Sequence, residues 1–296
     1  PPAVGSRARM ITKRENWIPY TFLAPALLIL LAFRLWPIVI GLSESLYSVS
    51  FVNAGARIFV GFENYLRLLT DRVFLQSLQV SLLFNLIVNP LQVLLALGLA
   101  FLVNQRVPGV GAFRSLYLIP IAISINVSAL IWKLMLDENG LLNGLIRTWG
   151  GSPIAFLTST EWALGSIIGI ASWIGVPFWT LFLLAGLQGI SPQIYEAAAI
   201  DGASGASRLR FITLPLLRRS IGFVLIADTI SNFLLFTPVL LLTEGGPQLS
   251  TNLVMFEAYR RGLVYGDFGM SAAMVSLQLI LIVSIVLAQF YLFRER

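Results

Sequence analysis

The sequence predicts an all-α integral membrane protein with six transmembrane helices and both termini in the cytoplasm. Three observations carry that expectation. Of the 296 residues 57% are apolar and only 11% charged, with a mean hydropathy of +0.84, whereas a soluble domain is about 45–50% apolar and about 25% charged. The apolar residues fall in six long runs, each near the roughly 20 residues a helix needs to cross a hydrocarbon core. The basic residues, 20 Lys and Arg against 14 Asp and Glu, gather in the segments between alternate runs, as orientation by positive charge requires.

The first run, near 18–42, follows Arg7, Arg9, Lys13 and Arg14. That is how a signal peptide begins, but the apolar stretch continues past Phe33 to Leu42 and no A-x-A-like cleavage site follows. It therefore reads as a retained helix, kinked at Pro37. Residues 1–17 form a cytoplasmic N-terminal segment, and 18–296 a single transmembrane domain. The remaining runs lie near 78–103, 113–136, 164–187, 220–242 and 271–293. Stretches such as 93–103 and 277–287 lack the polar alternation of a barrel strand, so the backbone must satisfy itself in lipid as helix.

With the N-terminus inside, the cytoplasmic segments hold Arg7, Arg9, Lys13, Arg14, Arg106, Arg114, Arg208, Arg210, Arg218, Arg219, Arg294 and Arg296. Only Glu15, Glu196, Asp201 and Glu295 oppose them. The longer outer segments, about 43–77, 137–163 and 243–270, carry Arg57, Arg67, Arg72, Arg147, Arg260 and Arg261 at lower density. Turn signals punctuate these segments at Asn139-Gly140 and Gly245-Gly246-Pro247. The stretch 64–78 has apolar residues at helical spacing and fits either a surface-lying amphipathic helix or a packed outer cap.

The chain has no His and no Cys. That excludes Ser-His-Asp and Cys-His nucleophiles, zinc sites of the usual His/Cys kind and disulfides. Its only lysines are Lys13 and Lys133, and neither follows a glycine, so there is no G-x-x-x-x-G-K-[ST] nucleotide loop. The expectation is a chain that binds no metal and no cofactor, and any ATP it uses is bound by another protein. The basic excess is accounted for by membrane orientation and requires no nucleic acid.

The cytoplasmic loop between the fourth and fifth runs, about 188–219, predicts a short helix. Ser191 suits an N-cap and Pro192 the first helical position. Ala197, Ala198 and Ala199 favour helix, and Gly202 suits the left-handed residue that ends one. Small residues on such a helix let another surface approach closely. A second helical stretch follows from Ser204 to about Leu214, and Pro215 leads into the fifth run.

The spacing Glu196-Ala197-Ala198, Gly202, then nine residues to Ile212-x-Leu214-Pro215 resembles the EAA motif, which marks the membrane permease subunits of bacterial binding-protein-dependent ABC importers. Asp201-Gly202-Ala203 is similar to the longer form in sugar permeases; Leu209 stands where Phe is frequent and keeps the apolar character. Three weaker matches, 60–65, Phe113-Arg114 with Leu118-Ile119-Pro120, and 242–247 with Ser250-Thr251, resemble the carbohydrate-uptake group that includes maltose, trehalose and glycerol-phosphate permeases. The resemblance implies an EAA-type coupling helix that docks on an ATPase, with Glu196 pairing with a basic residue there, the alanines packing into a groove and Gly202 making the turn. Arg208 and Arg210 would meet acids on the ATPase or anionic headgroups. It further implies a second homologous permease subunit, two ATP-binding subunits that hold ATP and Mg, an extracytoplasmic solute-binding protein, and multi-pass residence in the bacterial cytoplasmic membrane.

A transport subunit of this kind performs no chemistry. Its solute path must be polar, and polar groups within the runs are costly, about 2.5–3.5 kcal/mol for a charge on insertion scales. Asp228 in the fifth run, with Asn232 one turn later, lines the path or clamps helices together. Asn85 and Asn89 before Pro90, Asn126 in the third run, and Trp173 and Trp179 around Pro177 are further path candidates, with packing or interfacial anchoring as the alternative. Arg34 snorkels or pairs with an acid such as Glu44; Lys133, near Asp137 and Glu138, snorkels. Two other functions compete. An ion-gradient-driven transporter leaves the loop motif unexplained and has only Asp228 as a charged ion site. A non-transporting scaffold leaves the polar residues in the runs unexplained. The solute, whether disaccharide, oligosaccharide or glycerophosphodiester, stays open.

Overall fold

The computed structural model describes residues 18–49, 56–105 and 107–294, with side chains from residue 20 onward. The cytoplasmic N-terminal segment expected over 1–17, together with Arg106, Glu295 and Arg296, lies outside the described residues. Among the described residues four helices are long and apolar enough to cross a membrane: Tyr20–Glu44, Arg72–Val103, Ala163–Gln188 and Phe268–Phe293.

The first of them comprises α1 (Ile18–Leu30), a π turn over Leu31–Leu35 and α2 (Trp36–Glu44). Trp36 N–H reaches back five residues to Leu31 O, and this wide turn accommodates Pro37, which has no N–H of its own. A two-residue antiparallel pair follows, β1 (Tyr47–Ser48) with β2 (Ile58–Phe59), Tyr47 lying opposite Phe59. The next helix, α3 (Glu63–Leu68), is packed rather than surface-lying. Buried Asn64 donates to Ser45 O (2.8 Å) and Tyr47 O (3.0 Å), and Leu68 packs with Phe74, Met270 and Met274. Gly269 permits this cap: a Cβ there would stand 2.1 Å from Tyr47 O.

The second run is the continuous helix α4 (Arg72–Val103), capped by Asp71, whose Oδ1 accepts from Val73 N (2.9 Å) and Phe74 N (3.0 Å). The third run departs from the single helix expected over 113–136. It forms α5 (Val110–Tyr117), α6 (Ile119–Ala122) and α7 (Ile125–Leu136), with Ile123 and Ser124 extended between the last two. Pro120 sits in the first turn of α6, where its missing N–H is no loss. Past α8 (Leu141–Thr148), α9 (Ala163–Gln188) is continuous. The loop after it holds α10 (Pro192–Ile200), α11 (Gly205–Arg208), a π turn at Leu209–Thr213 and α12 (Leu214–Leu216).

The fifth run also breaks. Helix α13 (Arg218–Phe233) ends well short of residue 242; Leu235 and Phe236 leave the helical path, and helical structure resumes at Thr237 and Pro238, which lead into a π turn over Val239–Thr243. The chain closes with α14 (Val254–Tyr259), a π turn over Arg260–Val264 and α15 (Phe268–Phe293), capped by Asp267.

Helices α4 and α9 pack along each other, both meet α13, and α15 packs on α13 and α14. Phe84, Val88, Ile167, Ile170, Val239 and Phe256 fill the core toward one end. Ala96, Ala100, Leu183, Leu187, Leu217 and Val224 fill it toward the end that carries α10. Large apolar side chains such as Phe22, Leu86 and Leu134 point outward, each more than two thirds exposed. Water penalises a continuous apolar surface of this kind and hydrocarbon does not.

Candidate functional site

Where α4, α9, α13 and α15 converge, polar side chains replace the apolar core. Asn85, Asn89 and Gln92 recur on one face of α4 and are all buried. Asp228, Thr229 and Asn232 do the same on α13. Asn232 Nδ2 donates to Asn89 Oδ1 (2.8 Å), to Asp228 Oδ1 (2.9 Å) and, at longer range, to Gln92 Oε1 (3.4 Å). Trp179 Nε1 of α9 donates to Asp228 Oδ1 at 2.6 Å. Asn89 Nδ2 reaches Thr229 Oγ1 (3.1 Å) and Asn85 Oδ1 (3.3 Å), and Gln289 Nε2 of α15 donates to the same Thr229 hydroxyl (2.9 Å). In a medium without water each such group must find a partner in the protein.

Three atoms of this cluster, Asp228 Oδ2, Gln92 Nε2 and Gln289 Oε1, have no hydrogen-bond partner. Asp228 and Gln92 line a cleft of about 230 Å³ shared with Gly175, Phe178, Trp179 and Asn232. Ile125 and Leu235 also border it, the first just past the interruption of the third run and the second within that of the fifth. Non-helical backbone at membrane depth is tolerated only where protein buries it or where it lines a cavity, so the breaks and the cleft belong together. Gly175 makes room for the Gln92 amide: a Cβ there would stand 2.6 Å from Gln92 Oε1.

Five of the seven path candidates thus come together: Asn85, Asn89, Trp179, Asp228 and Asn232. The other two stand apart. Asn126 is exposed, with Ser128 the buried polar residue on that helix. Trp173 packs edge-on against Trp132, with ring centroids 5.7 Å apart, on a separate apolar groove. Gln92, Thr229 and Gln289 were not among the sequence candidates. Gln92 was findable, because it continues the i, i+4, i+7 face begun by Asn85 and Asn89.

At one end of the bundle the loop helix α10 projects with little cover. Pro192 occupies its first turn, while the Ser191 hydroxyl goes to the Gln193 side chain and caps no backbone N–H. The C-terminus is closed as the sequence led one to expect: Gly202 takes φ +76°, its N–H bonds Ala199 O (3.1 Å), and Ala203 N–H bonds Ala198 O (2.9 Å), the paired bonds of a Schellman motif. Ala198 is buried, whereas Glu196, Ala197, Asp201 and Gly202 are exposed and Ala203 is half-buried. Ile200 is 87% exposed. Ile212 and Leu214 are half-buried and Pro215 exposed. Tyr195 Oη and Thr213 Oγ1, 3.0 Å apart, hold α10 against the Leu209–Thr213 turn.

At the opposite end lies a charged cluster that the sequence does not announce. Glu257 is fully buried and accepts from Asn252 Nδ2 (3.1 Å), Arg260 Nη2 (2.5 Å) and Arg261 Nε (2.9 Å). Arg261 also reaches Asp71 Oδ2 at 2.6 Å, tying the last outer segment to the cap of α4. Burial works against the Arg261 charge, but Glu257 and Asp71 outweigh it and hold the guanidinium above its ordinary pKa. Glu44 pairs with Arg57 at 2.7 Å, so the acid considered for Arg34 is engaged elsewhere. Among the described residues no three potential metal ligands come together.

No protein-family profile matches the chain. Two curated relatives match almost all of it. The trehalose/maltose transport system permease protein MalF of Thermococcus litoralis is 37% identical over 276 residues, covering 92% of each chain. The lactose transport system permease protein LacF of Rhizobium radiobacter is 34% identical over 289 residues, covering 95% of each. Among solved structures, a chain of a bacterial alginate ABC transporter, crystallised in complex with its alginate pentasaccharide-bound periplasmic protein, superposes with a TM-score of 0.80. It covers 95% of both chains at 22% identity.

Proposed function

The chain belongs to the permease subunits of carbohydrate ABC importers, and on that premise we propose how it spans the membrane, where its solute passes and how it receives energy. It is a transport subunit and not itself an enzyme. In this reading it crosses the bacterial cytoplasmic membrane six times: the four continuous helices are joined by α5–α7 and by α13 with the Val239–Thr243 turn as interrupted spans. Both termini and α10 are cytoplasmic, as the distribution of arginines favours.

The solute passes along the polar cluster at Asp228 and Asn232, with Asn85, Asn89 and Trp179 positioning them; Asn126 and Trp173 fall outside that path. This chain supplies half of the path and a second homologous permease the other half. Two ATP-binding subunits hold ATP and Mg, an extracytoplasmic solute-binding protein delivers the solute, and the chain itself binds no cofactor. The observation that carries the coupling role is α10. It is a helix in the loop between two spans, closed rigidly at Gly202, and it presents Glu196, Ala197 and an almost bare Ile200 to a surface that is not its own. An isolated chain gains nothing by exposing that isoleucine; a docked one buries it.

The test is Glu196→Lys in the assembled transporter. Uptake and solute-stimulated ATP hydrolysis should be lost while the protein still inserts in the membrane. Full uptake by the variant would refute the coupling role.

A further inference from the structure

Resting on the solute path placed at Asp228, we infer that the cleft selects electrically neutral polyhydroxylated solutes and rejects anionic ones, with Asp228 setting the charge rule and Gln92 supplying the matching donor.

The two orphaned atoms that line the cleft carry the argument. Asp228 Oδ2 is an acceptor and Gln92 Nε2 a donor; neither has a partner, and both side chains are 1% exposed. A hydroxyl group is donor and acceptor at once, so a sugar hydroxyl can satisfy both atoms. A carboxylate or phosphate offers acceptors only. It would answer Gln92 but set acceptor against acceptor and charge against charge at the ionised Asp228 carboxylate; the rule belongs to the carboxylate form, because a protonated carboxyl would donate instead.

Among the described residues no cation is placed to reverse the rule. Among the described residues Asp228 is the only ionisable one lining the cleft. The nearest arginines on its own helix are Arg218 and Arg219 at the start of α13. At 1.5 Å per residue Arg218 lies about 15 Å down the helix, and it is bonded to Leu292 O. The outer arginines Arg260 and Arg261 are committed to Glu257 and Asp71. The size of the cleft fits the same class. About 230 Å³ is below the roughly 300–1,000 Å³ of a complete small-molecule site. It suits one ring of a solute whose remainder lies against the second permease subunit, and exposed Phe178 beside it offers an apolar face to a sugar ring.

The experiment compares glucose with glucuronate, which share a ring and differ by one carboxylate. Binding to the detergent-purified permease–ATPase complex without its binding protein is read by saturation-transfer NMR, so that the binding protein cannot impose the preference. The wild type should favour glucose by about tenfold or more, and Asp228→Asn, which keeps the acceptor for Trp179, should shrink that preference to about threefold or less. Gln92→Leu should weaken glucose binding while leaving the charge preference in place, with co-purification of the ATPase reporting that each variant is assembled. Equal binding of both sugars by the wild type, or an unchanged preference in assembled Asp228→Asn, would overturn the charge rule. Binding of neither sugar by any variant would overturn the path placement on which the rule rests.

Discussion

Under the coupling role proposed for α10, Gly202 is where backbone geometry bears most directly on transport. Its φ of +76° is open to glycine but costs any other L-residue about 1–2 kcal/mol, with Asn least penalised. An added Cβ would meet nothing within 4 Å, so the substitution series Gly202→Asn, Gly202→Ala, Gly202→Pro reads backbone strain without steric clash. For Ala, one to two kcal/mol lowers the population of the closed turn about 5–30-fold against its open alternatives. The apparent affinity of α10 for an ATPase falls by the competent fraction. Proline is locked near φ −65° and cannot reach the turn; it also removes the N–H that bonds Ala199 O at 3.1 Å. The assay is solute-stimulated ATP hydrolysis by the reconstituted transporter, with membrane insertion measured in parallel. The expected order of rates is Gly, Asn, Ala, Pro, with Pro near the unstimulated rate. A Pro variant at the wild-type rate, or Asn falling below Ala, would refute the argument that a left-handed turn at this residue holds the coupling geometry.

Two further perturbations test the packing of the site and the outer cap. Trp179→Phe removes the 2.6 Å bond to Asp228 Oδ1. Interhelical hydrogen bonds in membranes average about 0.6 kcal/mol and reach about 1.7; this one is short and joins two buried side chains and belongs at the upper end, so the Tm of the purified complex should fall and uptake with it. Glu257→Ala leaves Arg260 and Arg261 without their buried carboxylate. Breaking a buried pair costs about 3–5 kcal/mol, and because Arg261 keeps Asp71 the loss belongs at the lower end, read as a drop in Tm and in yield of folded protein; Glu257→Gln should lose less.

The parts of this account legible in the sequence were those set by local chemistry. The runs of apolar residues gave the continuous helices, and Pro192, the alanines and Gly202 gave α10 with its Schellman closure. The interruptions of the third and fifth runs were not legible. Hydropathy is blind to backbone direction, and Pro120 and Pro238, three residues from Ile123 and Leu235, mark a nearby irregularity without fixing which residues turn extended. The polar cluster was half legible. Asn85, Asn89, Asp228 and Asn232 stand out as amides and a carboxylate among apolar neighbours, but their pairing joins residues 140 or more positions apart, which only the packing of α4 against α13 brings together. Asn126 shows the limit of that signal: a polar residue within an apolar run points toward the cluster or away from it according to a helix phase that the break at Ser124 resets. Glu257 was hidden for the opposite reason. In an outer segment with two arginines it looks like an ordinary exposed acid, and its burial depends on contacts with Asn252 and on the cap of α4.

The coupling role of α10 is tested most directly by one cross-link. The chain has no cysteine, so Ile200→Cys, at a side chain 87% exposed, introduces a single thiol at the face expected to meet the ATPase. The account predicts that this thiol cross-links to the ATP-binding subunit in the assembled transporter and that the yield changes on ATP binding. It also predicts that membrane-impermeant reagents reach this thiol only after the cells are opened, whereas Trp149→Cys, at a residue 86% exposed near the other end of the bundle, is labelled in intact spheroplasts. Labelling of Ile200→Cys from outside, or an active transporter in which it forms no cross-link to the ATPase, would contradict it.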